Sequence, residues 1–215
     1  MVSRYLSFED RTGEIAFAVL MVIIINGYVA LSDLNSGFVY IVAVNLGACF
    51  GWGMIDGLVY AVSSSIERNR TRNKLLMLKR CAECHDTLDK VTKSFDDTFL
   101  EGFDAAGKRA IAGALIEHVG QADVGKAKVL TKSDVGGWLS ILGIYLTVGV
   151  LMALPFLVLP DKFLAWVISN SLGVAWVTWY GLQLGKAVGK YRWLLGLVLG
   201  ATAVMFLIIS YIVWA

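Results

Sequence analysis

Asp56 is the only charged side chain between Asp33 and Glu67, in the middle of a long apolar stretch. A carboxylate sunk in a bilayer costs about 3 kcal/mol or more unless a partner or a wet cavity meets it, so such a residue is a functional candidate by default. Its neighbours strengthen the case. Asn45, Cys49, Trp52 and Asp56 recur at i, i+4, i+7 and i+11, which a 3.6-residue repeat puts on one stripe of a helix. Met54 falls away from it. Carboxylate, amide oxygen and sulfur together suit transient binding of Fe2+, Mn2+ or Zn2+. The competing reading is an anchor: Asp56 near the cytoplasmic interface, paired with Arg68, Arg72 or a basic residue of the 186–192 loop. Asn26 and Asn170 are the other mid-span polar residues, able to line a path or to tie helices together by hydrogen bonds.

A second set of candidates lies in the polar middle of the chain. Cys81-Ala82-Glu83-Cys84-His85 matches the spacing used for covalent haem attachment. The charge distribution puts it on the cytoplasmic side, where such attachment does not normally occur, so no covalent haem is expected. Two thiols with His85, Glu83 or Asp86 instead suit a zinc or iron site, although a closed site needs four ligands. Lys79 and Arg80 beside Cys81 favour the thiolate, which leaves redox sensing open. Asp97, Glu101 and Asp104 form an i, i+4, i+7 acidic stripe, and Glu117 and His118 end the next helix. These could gather cations or form a solvated face, since Lys90 and Lys93 interleave with the acids.

The elements that must position these groups follow from composition. Hydrophobic residues make up 57% of the 215 and charged residues 17%, against roughly 45–50% and 25% in soluble domains. Five apolar segments are long enough for a core about 30 Å thick: Ile15–Ser32, Gly37–Ser64, Val135–Leu159, Phe163–Gly185 and Trp193–Ala215. The expected fold is therefore an all-α, multi-pass membrane protein of five spans, with a cytoplasmic helical domain between the second and third. Its parts are a two-helix segment (1–66), the polar domain (67–134) and a three-helix segment (135–215). Within the polar domain Asp104 reads as the N-cap of a helix over Ala105–Val119, with Gly120 as its C-cap. Pro155 is expected to kink the third span. No cleavable leader is expected. Of the 19 Lys and Arg residues, all but Lys162 fall on one side of this topology. Basic residues near spans stay cytoplasmic, so the N-terminus and residues 67–134 are expected inside and the C-terminus outside. Glycines repeat every four residues at Gly47/Gly51, Gly53/Gly57, Gly181/Gly185/Gly189 and Gly196/Gly200, a pattern for close helix packing and for a homodimer. A net charge of +2 gives no reason to expect nucleic acid as a partner.

Two spans, an Arg-rich helical extension into a charged domain, and three closely linked spans resemble the vacuolar iron transporter family. Gly51-Trp52-Gly53-Met54-Ile55-Asp56-Gly57 followed by Glu67-Arg68 is similar to the second span of prokaryotic members, and Leu154-Pro155-Phe156, Pro160-Asp161 and Gly185-Lys186 to the C-terminal half. The resemblance implies a homodimer exchanging Fe2+ or Mn2+ for protons through a membrane path that Met54 and Asp56 would line, with cytoplasmic carboxylates gathering metal. Asn26-Gly27 stands where the family has Asp-Gly, which implies a divergent member. The leading expectation is a divalent-cation exporter; the alternative is a membrane-anchored metal or redox sensor using the Cys81–His85 cluster without transport. A haem-bearing electron carrier is a third, and no signature of an enzyme is present.

Overall fold

The computed structural model describes residues 4–32, 37–81, 87–95, 98, 100–121, 125–189 and 191–214. They form seven helices: α1 (Phe8–Ser32), α2 (Phe38–Cys81), α3 (Thr87–Lys93), α4 (Ala105–Gln121), α5 (Lys132–Val158), α6 (Lys162–Val188) and α7 (Arg192–Trp214). No strand occurs among the described residues. Four of the helices, α1, α2, α5 and α7, are long and apolar enough to cross a membrane. The chain divides into two compact units, residues 1–61 with 132–215, and residues 62–131.

Several helix ends depart from the hydropathy boundaries because capping chemistry, not hydrophobicity, sets them. Ser7 and Asp10 form a reciprocal box, Asp10 N donating to Ser7 Oγ at 3.0 Å and Ser7 N to Asp10 Oδ2 at 3.3 Å. Such a box satisfies amides that a helix start leaves unpaired. Helix α1 therefore begins seven residues before the apolar run, and Glu14 lies inside it. Asp161 caps α6 by accepting from Leu164 N at 2.8 Å, and Gly189, at φ 90°, closes it with its N–H on Gly185 O. Gly189 thus ends a helix and does not belong to a packing repeat. Helix α5 continues through Pro155 as far as Val158.

In the larger unit α1 is central, packing on α5, α6 and α7. Ala18, Val19, Val22 and Ile23 are fully buried there against Ile141, Tyr145, Val148 and Met152 of α5, Val177 of α6 and Ala203 of α7. Helix α2 meets α5 through small residues. A Cβ on Gly53 would lie 3.1 Å from Leu142 Cα, and one on Gly57 would lie 2.8 Å from the Trp138 carbonyl. Gly181 does the same for α6 and α7, where a Cβ would come within 2.7 Å of Leu195 O. Gly47 and Gly51 meet nothing in this chain. The outward faces of α2 (Phe50, Ile55, Leu58, Val59) and α7 (Leu197, Val198, Ile208, Ile212) are apolar and exposed, as lipid-facing surfaces are.

The smaller unit holds its own core of Val91, Phe95 and Ala112, flanked by Leu88, Leu100, Ile111 and Ile116. Asp104 caps α4, accepting from Gly107 N at 2.8 Å. The helix runs on to Gln121, so Gly120 lies within it and is not its C-cap. The returning segment lies along α2, where Asn69 Nδ2 donates to Lys128 O at 3.2 Å, Arg72 Nε to Gly125 O at 2.6 Å, and Ser65 Oγ to Val129 O. An exposed Arg109–Asp89 pair at 3.1 Å links α3 and α4, a contact worth about 1 kcal/mol at most.

Candidate functional site: a polar seam between the first two helices

The polar residues of α1 and α2 meet at two levels. At the first, Asn26 is the hub. Its Nδ2 donates to Ser169 Oγ at 2.9 Å and to Asn170 Oδ1 at 3.3 Å, both on α6, while its Oδ1 accepts from Asn45 Nδ2 of α2 at 2.6 Å. Ser169 Oγ in turn donates to the Met152 carbonyl of α5 at 2.6 Å. All four side chains are fully buried. Asn45 Oδ1 and Asn170 Nδ2 have no partner there, and an unmet buried polar atom costs about 1–3 kcal/mol. Four helices thus contribute to one amide cluster that retains one unused acceptor and one unused donor.

At the second level Asp56 accepts from the hydroxyl of Tyr145 on α5. Glu14 of α1 faces the same hydroxyl and lies within electrostatic reach of Asp56. Two carboxylates therefore converge on one buried phenol. The contacts of Asp56 that the described residues show are with Tyr145 and, through space, with Glu14.

Antiparallel geometry joins the levels. Asn26 faces Asn45, and twelve residues away Glu14 approaches Asp56, eleven residues beyond Asn45. At 1.5 Å per residue the two levels are about 17 Å apart, over half the bilayer core. Between them Cys49 is fully buried, its sulfur against Gly149, where an added Cβ would stand 2.7 Å away. Trp52 departs from the expected stripe. It is 44% exposed and meets Phe17 edge-on at 6.1 Å between ring centroids. Met54 offers its carbonyl to Trp138 Nε1 at 3.1 Å, and its position two residues before Asp56 puts it on another side of α2.

Asn26, Asn45, Cys49 and Asp56 are thus brought onto one seam. Glu14, Tyr145 and Ser169 complete it and were not singled out from the sequence. Ser and Tyr are common in apolar helices and carry no charge to mark them, whereas Glu14 is detectable once the Ser7–Asp10 box is read as a helix start.

The candidates in the polar middle of the chain fare differently. Glu83, Cys84, His85 and Asp97 lie outside the described residues, and Cys81 ends α2 without a described side chain. Glu101, Glu117 and His118 are exposed. His118 Nδ1 sits 2.9 Å from Ala114 O, and Asp104 is engaged as a cap. Among the described residues no group of three or more His, Cys, Asp or Glu side chains could hold a metal ion. Among the described residues two acids, Glu14 and Asp56, meet at Tyr145.

A helical bundle with apolar outer faces and a polar seam running through its centre defines a multi-pass α-helical membrane protein. No family model matches the chain, and no curated protein does.

Proposed function

We propose that the chain is a carrier for a divalent cation, Fe2+ or Mn2+, moving it out of the cytoplasm in exchange for protons. In this reading α6 is a fifth span, the smaller unit is cytoplasmic, and two chains act together. The observation that carries the proposal is the convergence of Glu14 and Asp56 on the hydroxyl of Tyr145. Two like charges in a poorly hydrated site repel one another strongly, and a shared proton or an arriving cation relieves that repulsion. The pair therefore suits alternate occupancy by cation and proton. Cys49 and the free Oδ1 of Asn45 supply sulfur and oxygen donors farther along the seam, types that borderline divalent metals accept. The resemblance to vacuolar iron transporters points the same way, and Glu14 supplies the first-span acid that Asn26 does not. Cys81, Glu83, Cys84 and His85, with Asp97, Glu101, Asp104, Glu117 and His118, would gather the ion.

The test is flux. The full chain reconstituted in liposomes should take up Fe2+ or Mn2+ when a pH gradient is imposed. Asp56→Asn and Glu14→Gln should each slow the initial rate tenfold or more, equivalent to a barrier rise of at least about 1.4 kcal/mol, without lowering the melting temperature. Uptake by both variants at the parental rate would refute the assignment.

A further inference from the structure

Away from the seam, one face of α5 and α6 carries a groove made of two adjoining cavities of about 330 and 590 Å3 that share Trp176. Along α5 the lining steps through Gly143, Thr147, Leu151, Leu154 and Val158, a single face of the helix about 22 Å long at 1.5 Å per residue. Along α6 it steps through Tyr180, Trp176, Leu172 and Ile168 at intervals of four. The two ends differ in chemistry. One carries Arg11 with Thr12, Thr147 and Tyr180, and no carboxylate lines it among the described residues. Arg11 donates through Nε to Ser7 O at 3.1 Å, and its terminal nitrogens have no partner among the described residues. The other end is hydrocarbon, lined by Pro155, Leu159 and Ile168.

We propose that this groove holds one anionic phospholipid, its phosphate at Arg11 and an acyl chain along Leu151, Leu154, Leu172 and Ile168. The span of the groove is close to one leaflet with its headgroup layer, about 20 Å. A zwitterionic lipid has the same chains, but the lone cation at the polar end favours a net negative headgroup, as basic pockets between membrane helices do. The ligand site is independent of the metal-carrier reading, because neither Glu14 nor Asp56 lines it.

The experiment is native mass spectrometry of the full chain in non-ionic detergent, titrated with phosphatidylglycerol or phosphatidylcholine of identical chains. One phosphatidylglycerol should bind per chain, about fivefold more tightly than phosphatidylcholine, as one desolvated basic group provides. Arg11→Gln should abolish the difference and Arg11→Lys should keep it. Gly143→Leu should weaken both lipids, because open space lies beyond that Cα and the new side chain would fill the groove without straining the helix. A melting temperature equal to the parent's establishes that each variant is folded. Equal affinity for the two lipids in the parent, or unchanged binding in a folded Gly143→Leu, overturns the proposal. A dimer that Gly143→Leu converts to monomer, with lipid binding unaltered, would assign the groove to a second copy and overturn it as well.

Discussion

At the scale of single residues, the tyrosine between two acids is the most consequential contact. Tyr145 is fully buried, its Cβ lying against Gly53 while its hydroxyl reaches Asp56. Tyr145→Phe preserves the packing and deletes only the donor. A hydrogen bond to a charged group contributes about 1.5–3 kcal/mol, so unfolding in detergent should show a loss of that order in the parent. In an Asp56→Asn background the same change should cost about 1 kcal/mol, the ordinary value for neutral partners. The difference is a coupling energy read by the double-mutant cycle, and strict additivity would mean that Asp56 carries no charge for the hydroxyl to stabilise. The sequence made half of this contact legible. Asp56 stands out because charge is rare in hydrocarbon, and Asn45 and Asn26 because amides are. Tyr145 does not, since its phenol looks like any interfacial aromatic until the helices are placed. For the acidic stripe, helical periodicity suggests a shared face, but residues 100–103 lie outside any helix and Asp104 caps α4 through the Gly107 amide, while Asp97 lies outside the described residues.

At the scale of elements, glycine spacing alone does not say which repeats make contacts. Of two pairs on α2, Gly53 and Gly57 lie against backbone atoms of α5, whereas Gly47 and Gly51 meet open space. Gly53→Ala and Gly57→Ala should therefore each destabilise the bundle by about 1–3 kcal/mol, the usual cost of overpacking. Gly47→Leu and Gly51→Leu should leave the melting temperature of the single chain unchanged. If the leucines instead disperse a dimer seen by light scattering, that face of α2 is where two copies meet. If the alanine variants are as stable as the parent, the α2–α5 approach is looser than described. The five-segment division was visible in hydropathy because helices bounded by polar turns are hard to disguise. Their ends were not, because Ser7, Asp161 and Gly189 terminate helices by hydrogen bonding that apolar content does not report. The length of α2 was legible in part: its Arg-rich extension reads as a continuation, and 44 residues make about 66 Å of unbroken helix.

At the scale of the whole molecule, topology turns on α6. It is longer than a bilayer requires, yet Asn170, Ser169, Thr178, Gln183 and three tryptophans dilute its apolar character, and it is not among the four helices that composition alone qualifies. Its neighbours explain how so polar a helix can span. Helix α6 packs on α1, α5 and α7, its Ser169 Oγ and Asn170 Oδ1 accept from Asn26, and its Gly181 abuts α7 while Gly173 abuts α1 and α5. Polar groups that face other helices escape the cost that lipid would impose. Counting α6 makes the number of spans odd, and the termini then lie on opposite sides; leaving it out makes the number even and puts them together. The distribution of Lys and Arg agrees with the odd count, since only Lys162 would lie outside. Reporter fusions in a bacterial inner membrane separate the two cases. Green fluorescent protein at the N-terminus should fluoresce, alkaline phosphatase after Ala215 should be active, and the reverse pair should be dark and inactive. A fluorescent C-terminal fusion together with a fluorescent N-terminal one would remove α6 from the spans. The amide cluster would then have to form at a membrane surface, where water would compete for each of its hydrogen bonds and the seam would no longer be a route across the bilayer.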